Sequence, residues 1–432
     1  MDHSRATSST ADTPAEPNRP TLERLFDTAA TLFWEKGYAA TTTREIAAAV
    51  GIQQASLYYH IPSKEDLLHQ LCVSSLDQLM VDVQSAVDGA AHPLERIRVL
   101  ARAHLATLLR YQKRHVTMLT ELRALTERHR AEVVALRDRY GSLVRSVLEH
   151  AQASGMVRTD IPARYLNLAL LNVLNWAVLW FRGGQALSSD QLADFFAMIY
   201  LHGAAASPAR DSLALPDLRS RRRKPPSRAR NTPESPPQST SERLLNAAAA
   251  LFSRKGYAAT STREIAALLG IQKASLYYHI GGKEDLLYAI CKSSLEQIRS
   301  DVETALATVQ DPVDRVATLV HAHIESMLRD QNKHSAALAE MHALSAERLV
   351  QVRALRDAYE DLVRSVLNDA QSAGALRQDI PVKYLCLSLL GLMNRVEVWF
   401  RPSGDLAPGQ LGRLLAVIFL AGAAAMPEAG KL

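Results

Sequence analysis

The sequence has little from which a disulfide framework or a β-sheet could be built. Its 432 residues include three cysteines, and two of these, Cys72 and Cys291, occupy equivalent positions in an internal repeat. Their spacing matches neither a disulfide framework nor a zinc site, so we expect small buried thiols in a reducing cytoplasm. No run of alternating β-branched and polar residues predicts a strand.

Sequence signals for catalysis, secretion and membrane insertion are missing as well. There is no P-loop, dinucleotide glycine string, nucleophile elbow or metal motif, so we expect no enzymatic activity, no cofactor and no metal. The first twenty residues lack the apolar segment of a secretory signal and are typical of a disordered tail. The most apolar stretch, 165–181, contains three asparagines and is short for a membrane span, which favours a buried helix.

The sequence contains an internal repeat, whose two copies are offset by 219 residues. Residues 21–76 and 240–295 align without a gap and are identical at 39 of 56 positions. The same offset continues, at lower identity, to the end of each copy. The period is far too long for a solenoid, so each copy should be a complete set of domains, and the chain should behave as a dimer that cannot dissociate.

The segment that joins the copies has linker composition. It is rich in Pro, Ser and Arg, and residues 205–240 hold eight Arg or Lys against three acidic residues. The whole chain has a formal charge of +5, so its basic character mostly reports this segment. Two interpretations stay open: a solvated tether, or a basic run that contacts DNA phosphates. The net charge of the chain therefore does not by itself indicate binding to nucleic acid.

Outside the linker, apolar residues recur at i, i+3, i+4 and i+7, which predicts an all-α fold. Thr42 and Glu45 have capping-box spacing at the start of a short helix, and Gly51 ends it. A second short helix, 53–60, follows. Two short helices joined by a glycine turn predict a helix-turn-helix unit, whose second helix enters the DNA major groove with Leu57 as its core anchor.

The repeated strings L-F-x-x-K-G-Y, T-R-E-I-A, G-I, A-S-L-Y-Y-H-I and K-E-D-L-L, in this order and spacing, resemble the TetR family of bacterial transcription regulators. The resemblance implies a three-helix DNA-binding domain followed by a helical ligand-binding and dimerisation domain. The departure from the family is the tandem fusion. The DNA-contacting positions that the resemblance implies are Thr42, Thr43, Gln53, Gln54, Ser56, Tyr58, Tyr59, His60 and Lys64 in the first copy, and Ser261, Thr262, Gln272, Lys273, Ser275, Tyr277, Tyr278, His279 and Lys283 in the second.

These patterns predict six segments. They are a tail (1–20), a first helix-turn-helix domain (21–68), a first effector and dimerisation domain (69–204), a basic linker (205–239), a second helix-turn-helix domain (240–287) and a second effector domain (288–425). The last two helices of each copy are very apolar. The resemblance implies that they pair as a four-helix bundle, here within one chain, as an intramolecular pseudo-dimer.

The two predicted heads are not equivalent in charge. Residues 21–76 hold four Arg or Lys and six acidic residues, whereas residues 240–295 hold seven and four. We therefore expect the second head to bind phosphates more strongly. Lys273 replaces Gln54 on the reading helix, and Lys favours guanine where Gln favours adenine. This difference predicts a near-palindromic operator with half-sites that differ at about one position.

Several polar residues recur inside the apolar helices of the effector domains. Buried polar groups need partners, so they either pair with one another or face a ligand cavity. His321-x-His323 suggests metal binding, but Arg102 stands at the first-copy position of His321, and a third ligand is missing. The candidate ligand-binding residues are His104, Glu121, Arg137, Tyr140, Asn172, Asn175, Trp176, His323, Glu340, Arg356, Tyr359 and Asn394.

The expected function is a ligand-responsive DNA-binding regulator, a repressor by the family's usual mode. Its partners would be a double-stranded operator and a small hydrophobic or acyl-CoA-like effector. The effector class follows from a loose resemblance of E-x-x-A-L, R-D-x-Y and G-x-x-R-x-D-I-P to the lipid-responsive branch of the family. Two alternatives remain: a ligand-independent architectural DNA-binding protein, and an enzyme with an accessory DNA-binding fold. Because Asn172 and Trp176 become Gly391 and Arg395, one copy could also have lost its ligand site.

Overall fold

The computed structural model describes residues 21–181, 187–203, 239–272, 276, 280–401 and 403–422. Within these ranges the regular elements are helices, with no strand beyond isolated bridges, which confirms the predicted all-α fold in two copies. No described helix is long and apolar enough to cross a membrane. The predicted tail and linker lie outside the described residues. All three cysteines are buried and unpaired, and burial raises the pKa of each thiol to about 12.

The first copy contains nine described α-helices and one short 3₁₀ turn, Leu122–Ala124. The helices are α1 (Thr21–Lys36), α2 (Thr43–Val50), α3 (Gln54–His60), α4 (Lys64–Asp88), α5 (Pro93–Arg110), α6 (Gln112–Glu121), α7 (Glu127–Ala153), α8 (Ala163–Trp180) and α9 (Ser189–His202).

The described helices of the second copy follow the same order, with a 3₁₀ turn at Met341–Ala343. They are α10 (Thr240–Lys255), α11 (Thr262–Leu269), α12 (Lys283–Leu306), α13 (Pro312–Arg329), α14 (Gln331–Glu340), α15 (Ala346–Ser372), α16 (Val382–Met393), α17 (Val396–Trp399) and α18 (Pro408–Ala421).

Each helix-turn-helix head has its own hydrophobic core, and one helix connects it to the body. In the first copy, α4 contributes Leu67, Leu68 and Leu71 to the head core. Further along the same helix, Leu79 and Val83 belong to the body core. A displacement of α4 against the body would therefore move the head, because one rigid helix is packed into both cores.

The two bodies share a single hydrophobic core, because α8 packs against α16 and both contact α9 and α18. Side chains join the copies at several points. Asn172 donates from Nδ2 to the Leu392 carbonyl at 3.3 Å and accepts from the Trp399 indole at 3.2 Å. The rings of Phe195 and Tyr384 stack with centroids 5.1 Å apart.

One helix differs between the copies. The helix α8 runs without a break, whereas its equivalent is divided into α16 and α17 at Asn394 and Arg395. The break coincides with replacement of Trp176 by Arg395. Gly391 stands close by and lowers helix propensity, but it is also required for packing. A Cβ there would lie 3.2 Å from side-chain atoms of Trp176, so the glycine lets α8 and α16 approach.

Candidate DNA-reading heads and effector cavity

The first head positions its reading helix through helix caps and one apolar anchor. Thr42 and Glu45 form the predicted capping box at the start of α2, and Gly51 ends the helix with φ +80°. Leu57 on α3 is fully buried against the head core. Because the anchor fixes the helix on its inner side, the opposite side is presented to solvent.

The outer side of α3 carries the predicted DNA-contacting residues. Gln53 and Ser56 are exposed, and Tyr58 and Tyr59 retain 45% and 88% of their accessible surface. Thr43 connects this surface to α2, because its hydroxyl lies 3.0 Å from the Tyr58 hydroxyl and accepts from the Gln54 amide at 3.2 Å. This arrangement presents amides and hydroxyls that can reach base edges and phosphates.

Two of the residues predicted to contact DNA, Thr42 and Lys64, instead form hydrogen bonds within the head. The Thr42 hydroxyl accepts from the Glu45 backbone N–H and donates to its carboxylate, so the cap engages it; Ser261 does the same for Glu264. Lys64 requires a larger correction. Its ammonium donates to the carbonyls of Tyr38 at 2.8 Å and Thr41 at 2.7 Å.

Lys283 in the second head makes the same bonds, to the carbonyls of Tyr257 at 2.8 Å and Thr260 at 3.0 Å. Each ammonium also lies over the ring of the tyrosine it binds, at 4.3 Å for Lys64 and 4.1 Å for Lys283. Burial lowers the pKa of both lysines. Their donors are directed at the loop before the first helix of the motif, so they hold the head together and do not point to phosphate.

The described part of the second head repeats the framework of the first. In the second head Gln272 is exposed, Leu276 is a fully buried anchor like Leu57, and Gly270 ends α11 with φ +67°. Thr262 is half-buried at the start of α11. The side chain of His60 and the predicted residues Lys273, Ser275, Tyr277, Tyr278 and His279 lie outside the described residues.

Sequence reasoning missed one cation on each head. Arg44 and its equivalent Arg263 are exposed on the second helical position of α2 and α11, and neither has a hydrogen bond or ion pair within the described part of the chain. The neighbouring lysines Lys36 and Lys255 are paired with glutamates at 2.7 and 2.6 Å. The repeated T-R-E-I-A string contains both arginines, so the sequence shows that they are present, but it does not show that they are exposed.

The second body contains a mostly apolar cavity of about 200 Å³. Its walls come from both copies: the first copy supplies Trp176, Leu179 and Trp180, while Ile298, Met327 and Leu387 are among the residues from the second. Four of the predicted ligand-binding residues of the second copy, together with Trp176, line this space. The four are His323, Arg356, Tyr359 and Asn394.

A buried imidazole gives the cavity a polar end. Nδ1 of His323 lies 2.7 Å from the Tyr359 hydroxyl, and its Nε2 is buried without a hydrogen-bond partner in the described parts of the chain. Burial lowers the pKa of His323 to about 3, so the ring is neutral at pH 7. Arg356 is exposed and paired with Asp357 at 3.1 Å, which places a cation at the rim. A cavity of this kind suits a small apolar molecule with one hydrogen-bonding group.

The first body repeats the buried pair. Nδ1 of His104 lies 2.5 Å from the Tyr140 hydroxyl, and Nε2 of the same imidazole is buried without a hydrogen bond to any described residue. Burial lowers the pKa of His104 to about 4. Arg137 is exposed, as is its equivalent Arg356. A histidine and a tyrosine are therefore hydrogen-bonded in both bodies, and in the second body this pair also lines the cavity.

Three other predicted ligand-binding residues lie elsewhere. Asn172 joins α8 to the second copy, as described above. Glu340 is buried in an ion pair with Arg123 of the first copy. Glu121 lies near Tyr38 of the first head, and burial raises the pKa of its carboxyl. The last two belong to the contact between bodies and heads, and neither is among the residues that line the cavity.

The equivalents of Trp176 and Val178 are two ionisable residues, Arg395, which is half-buried, and Glu397, which is buried. Arg395 has no hydrogen bond or ion pair among the described residues, and burial lowers its pKa, with Arg137 acting in the same direction. Burial raises the pKa of the Glu397 carboxyl to about 7, and Oε2 of this group has no hydrogen bond to a residue that the structure describes. Sequence reasoning noted Arg395 as a difference between the copies but did not assign it to a site.

Capped helix-turn-helix heads on helical bodies define a class of DNA-binding regulators, and comparison with known proteins identifies the family. A domain model described as "Bacterial regulatory proteins, tetR family" matches residues 25–71 and 244–290. A second, described as "Tetracyclin repressor-like, C-terminal domain", matches residues 90–204 and 309–423. The matches cover more than half of the chain. The chain therefore belongs to the TetR family and is a transcriptional regulator that carries the family's two-domain unit twice.

Individual relatives match one unit at a time. The chain is 28% identical over 197 residues to the HTH-type transcriptional repressor KstR2 of Mycolicibacterium smegmatis, which covers 45% of this chain and 96% of the relative. The KstR2 of Rhodococcus jostii is 30% identical over 197 residues, at 45% and 95% coverage. A solved structure of AibR in complex with isovaleryl coenzyme A and operator DNA is 29% identical, with a TM-score of 0.39 and coverage of 42% and 97%.

Proposed function

We propose that this protein is a repressor that binds a near-palindromic operator with two covalently linked heads and leaves it when a small effector binds. The observation that carries the proposal is the exposed reading helix of the first head, with its capped partner helix and its buried Leu57 anchor. The sequence of this unit recurs in a second head, and the bodies below share one core. Similarity over a whole unit to KstR2 repressors supports repression.

The shared core supports a pseudo-dimer. Heads about 34 Å apart would meet successive major grooves on one face of DNA. Because α4 is packed into both the head and the body, and α12 is its equivalent, a change in the body core can alter the separation of the heads. An effector that binds better to the non-fitting arrangement would move the population toward it and lower the affinity for the operator.

The cavity supports an effector with a short apolar part. A space of about 200 Å³ is smaller than the ~300–1,000 Å³ typical of sites for drug-sized ligands. It would hold the acyl portion of a thioester, with the remainder outside near Arg356. The free Nε2 of His323 would hydrogen-bond the ligand's carbonyl group. The presence of a cavity favours this function over a ligand-independent architectural DNA-binding protein.

We further propose that the two bodies prefer different effectors. Trp176 of the first copy lines the cavity of the second body, so the equivalent Arg395 should project into the first body; its electrostatic contact with Arg137 supports this placement. A half-buried arginine that has no hydrogen bond or ion pair among the described residues favours an anionic group. The first body would then bind a carboxylate or phosphate where the second binds an apolar group.

A footprint on the DNA upstream of the protein's own gene, combined with affinity measurements, tests the operator proposal. We expect two protected half-sites and a weaker salt dependence when basic residues are removed from the second head. Tyr59→Ala and its equivalent Tyr278→Ala should each weaken binding about tenfold, the effect of one lost phosphate hydrogen bond of about 1.4 kcal/mol. Glu149→Ala on the outer surface of the body is the control. Absence of protection, or full affinity in the double variant, would overturn the proposal.

Cavity-filling variants test the effector proposal separately. Met327→Trp fills the second cavity, and Leu108→Trp places the same side chain at the equivalent position of the first body. We expect Met327→Trp to retain DNA binding but no longer respond to short acyl thioesters, and Leu108→Trp to retain that response. Release that persists in Met327→Trp would exclude this cavity as the effector site.

A further inference from the structure

The first turns of α4 and α7 lie side by side where the first head meets its body. Four side chains face one another across this junction: Glu65 and His69 from α4, and His129 and Glu132 from α7. The spacings i, i+4 and i, i+3 place each pair on one face of its helix. None of these residues belongs to the reading surface or to the effector cavity.

The two histidines are held against each other and against carboxylates. Their rings stack with centroids 3.9 Å apart and an angle of 5° between the planes. Nδ1 of His129 lies 2.8 Å from Oε2 of Glu65. Nε2 of His69 lies 3.1 Å from Oε2 of Glu132, yet it is buried without a hydrogen bond of proper geometry. One ligand atom from each of His69, His129 and Glu132 lies within 4.8 Å of the others.

At the equivalent junction of the second head, an arginine and a tyrosine connect the two helices directly. Arg348, the equivalent of His129, forms an ion pair with Asp285 and lies 3.8 Å from Glu284. Its guanidinium also covers the ring of Tyr288, the equivalent of His69, at 5.4 Å. The Tyr288 hydroxyl donates to the amide oxygen of Gln351, the equivalent of Glu132, at 2.5 Å. An arginine thus supplies a fixed positive charge between α12 and α15.

Glu65 accepts a backbone hydrogen bond that its equivalent in the second copy, Glu284, also accepts. Its Oε1 accepts from the backbone N–H of Thr126 at 2.7 Å, and Glu284 accepts from the backbone N–H of Ser345 at 2.9 Å. The three positions that differ are 69, 129 and 132. In the first copy all three are groups that can bind metals, whereas the second copy has a fixed cation, Arg348, at one of them.

We propose that His69, His129 and Glu132 bind a divalent transition metal ion of the Zn²⁺ class, which holds the first head to its body. Two imidazoles and a carboxylate are ligands that Zn²⁺ favours, and three protein ligands leave a fourth position for water. Glu65 would orient His129 through Nδ1, as carboxylates next to metal-bound histidines do. The ion supplies the positive charge that Arg348 supplies in the second copy.

The site needs only small side-chain movements. Ligands at about 2.0–2.2 Å from a tetrahedral ion lie roughly 3.4 Å from one another. Because the ligand atoms already lie within 4.8 Å, closure requires shifts of about an ångström or less per side chain. Sequence reasoning expected no metal because the ligands come from two helices about sixty residues apart, without a compact motif.

Titration of the full chain with Co²⁺, followed by competition with Zn²⁺, tests the proposal without DNA or effector. We expect visible absorption bands of tetrahedral Co²⁺ at one equivalent per chain, lost on addition of Zn²⁺, and a melting temperature that rises with metal. The exchange variant His69→Tyr, His129→Arg, Glu132→Gln, which installs the second-copy residues, should lose the bands and the metal-dependent shift. Tyr288→Phe at the second junction should retain both.

If the triple exchange does not fold, as judged by its circular dichroism, the single variant His69→Gln replaces it and should also lose the bands. Bands that survive either folded variant would overturn the site, as would their absence from the wild-type chain at saturating Co²⁺. The result is independent of the repressor proposal, because neither operator nor effector enters the measurement.

Discussion

Gly203 and Gly422 are equivalent residues of the two copies, and they meet backbone to backbone where α9 and α18 end. Both have positive φ, +73° and +77°. A Cβ on Gly203 would overlap the carbonyl of Leu420, and a Cβ on Gly422 would lie 2.5 Å from the Gly203 nitrogen and 2.6 Å from the Leu201 carbonyl oxygen. The last helices of the two bodies can therefore join only if both positions remain glycine.

We expect Gly422→Ala to destabilise the chain by more than its backbone strain alone. The backbone conformation of Gly422, with φ +77° and ψ −179°, costs an alanine about 1–3 kcal/mol, and the clash with backbone atoms adds to this cost. Gly155→Ala is the matched control, because Gly155 has φ +72° with no atom near its added Cβ. Urea unfolding compares the two. Equal losses would mean that the contact between Gly203 and Gly422 is not close in solution.

The ion pair between Arg123 and Glu340 should contribute to the coupling of the copies. The Arg123 guanidinium also lies beside Gly256, at the end of α10 in the second head, so a first-copy residue supports the opposite head. Arg123→Ala leaves the buried Glu340 carboxylate without a partner and should cost roughly 3 kcal/mol of unfolding free energy. Arg299→Ala, which breaks the exposed pair with Glu303, should cost under about 0.5 kcal/mol. Similar losses in the two variants would contradict this role for Arg123.

Lys64 and Arg44 should affect DNA binding in opposite ways. Because the Lys64 ammonium binds backbone carbonyls, Lys64→Met should lower stability and leave the salt dependence of operator affinity unchanged. Arg44→Ala should leave stability unchanged and reduce the slope of log affinity against log salt by about 0.9, the effect of one lost phosphate contact. The slope is measured by anisotropy with labelled DNA. A reduced slope in folded Lys64→Met would restore the phosphate role predicted from sequence.

Buried histidines should make the protein sensitive to acid. Burial lowers the pKa of His104 and His334 to about 4 and of His115 and His323 to about 3. The unfolded value is about 6.5, so their contribution is complete above that pH and is lost as pH falls toward these values. Each histidine should remove about 1.4 kcal/mol per pH unit within this window. Urea unfolding of His104→Gln should show a shallower loss between pH 6.5 and 5; an unchanged slope would exclude His104 as a contributor.

Glu397 should lower the stability of the protein as pH rises, whereas the histidines lower it as pH falls. Its folded pKa of about 7 lies above the unfolded value, so its contribution is present below the unfolded pKa and is lost as pH rises through 7. Between pH 5.5 and 7.5 this carboxyl should remove about 2 kcal/mol of stability. Glu397→Gln should abolish this pH-dependent loss. The measurement is the difference in unfolding free energy between the wild-type chain and Glu397→Gln at each pH. A difference that is constant over this range would contradict the assignment.

Much of the architecture could be predicted from the sequence because repeats and helix caps are local. The capping boxes at Thr42 and Ser261 and the glycine that follows each helix depend on residues three to nine positions apart. Cysteines placed among apolar residues were predicted to be buried, and they are. The resemblance carried by the repeated strings identified the family before any contact was known.

Contacts between distant parts of the chain could not be predicted in this way. Lys64 was assigned to phosphate because lysine is a common phosphate ligand, whereas packing directed its donors to Tyr38 and Thr41. Glu340 looked like a ligand residue in an apolar helix, but its partner, Arg123, lies in the other copy. Trp176 was expected in the first cavity and lines the second, because α8 crosses to the other body.

By itself, the amino-acid sequence determined that this protein is helical, duplicated and built around two capped helix-turn-helix units, since those properties arise from side chains a few positions apart. Only the tertiary structure decided which cavity has which walls, which basic side chains of the heads are already bound within the protein, and how the two junctions between heads and bodies differ. Those outcomes depend on residues from 23 to more than two hundred positions apart, whose proximity in space is set by the packing of the helices.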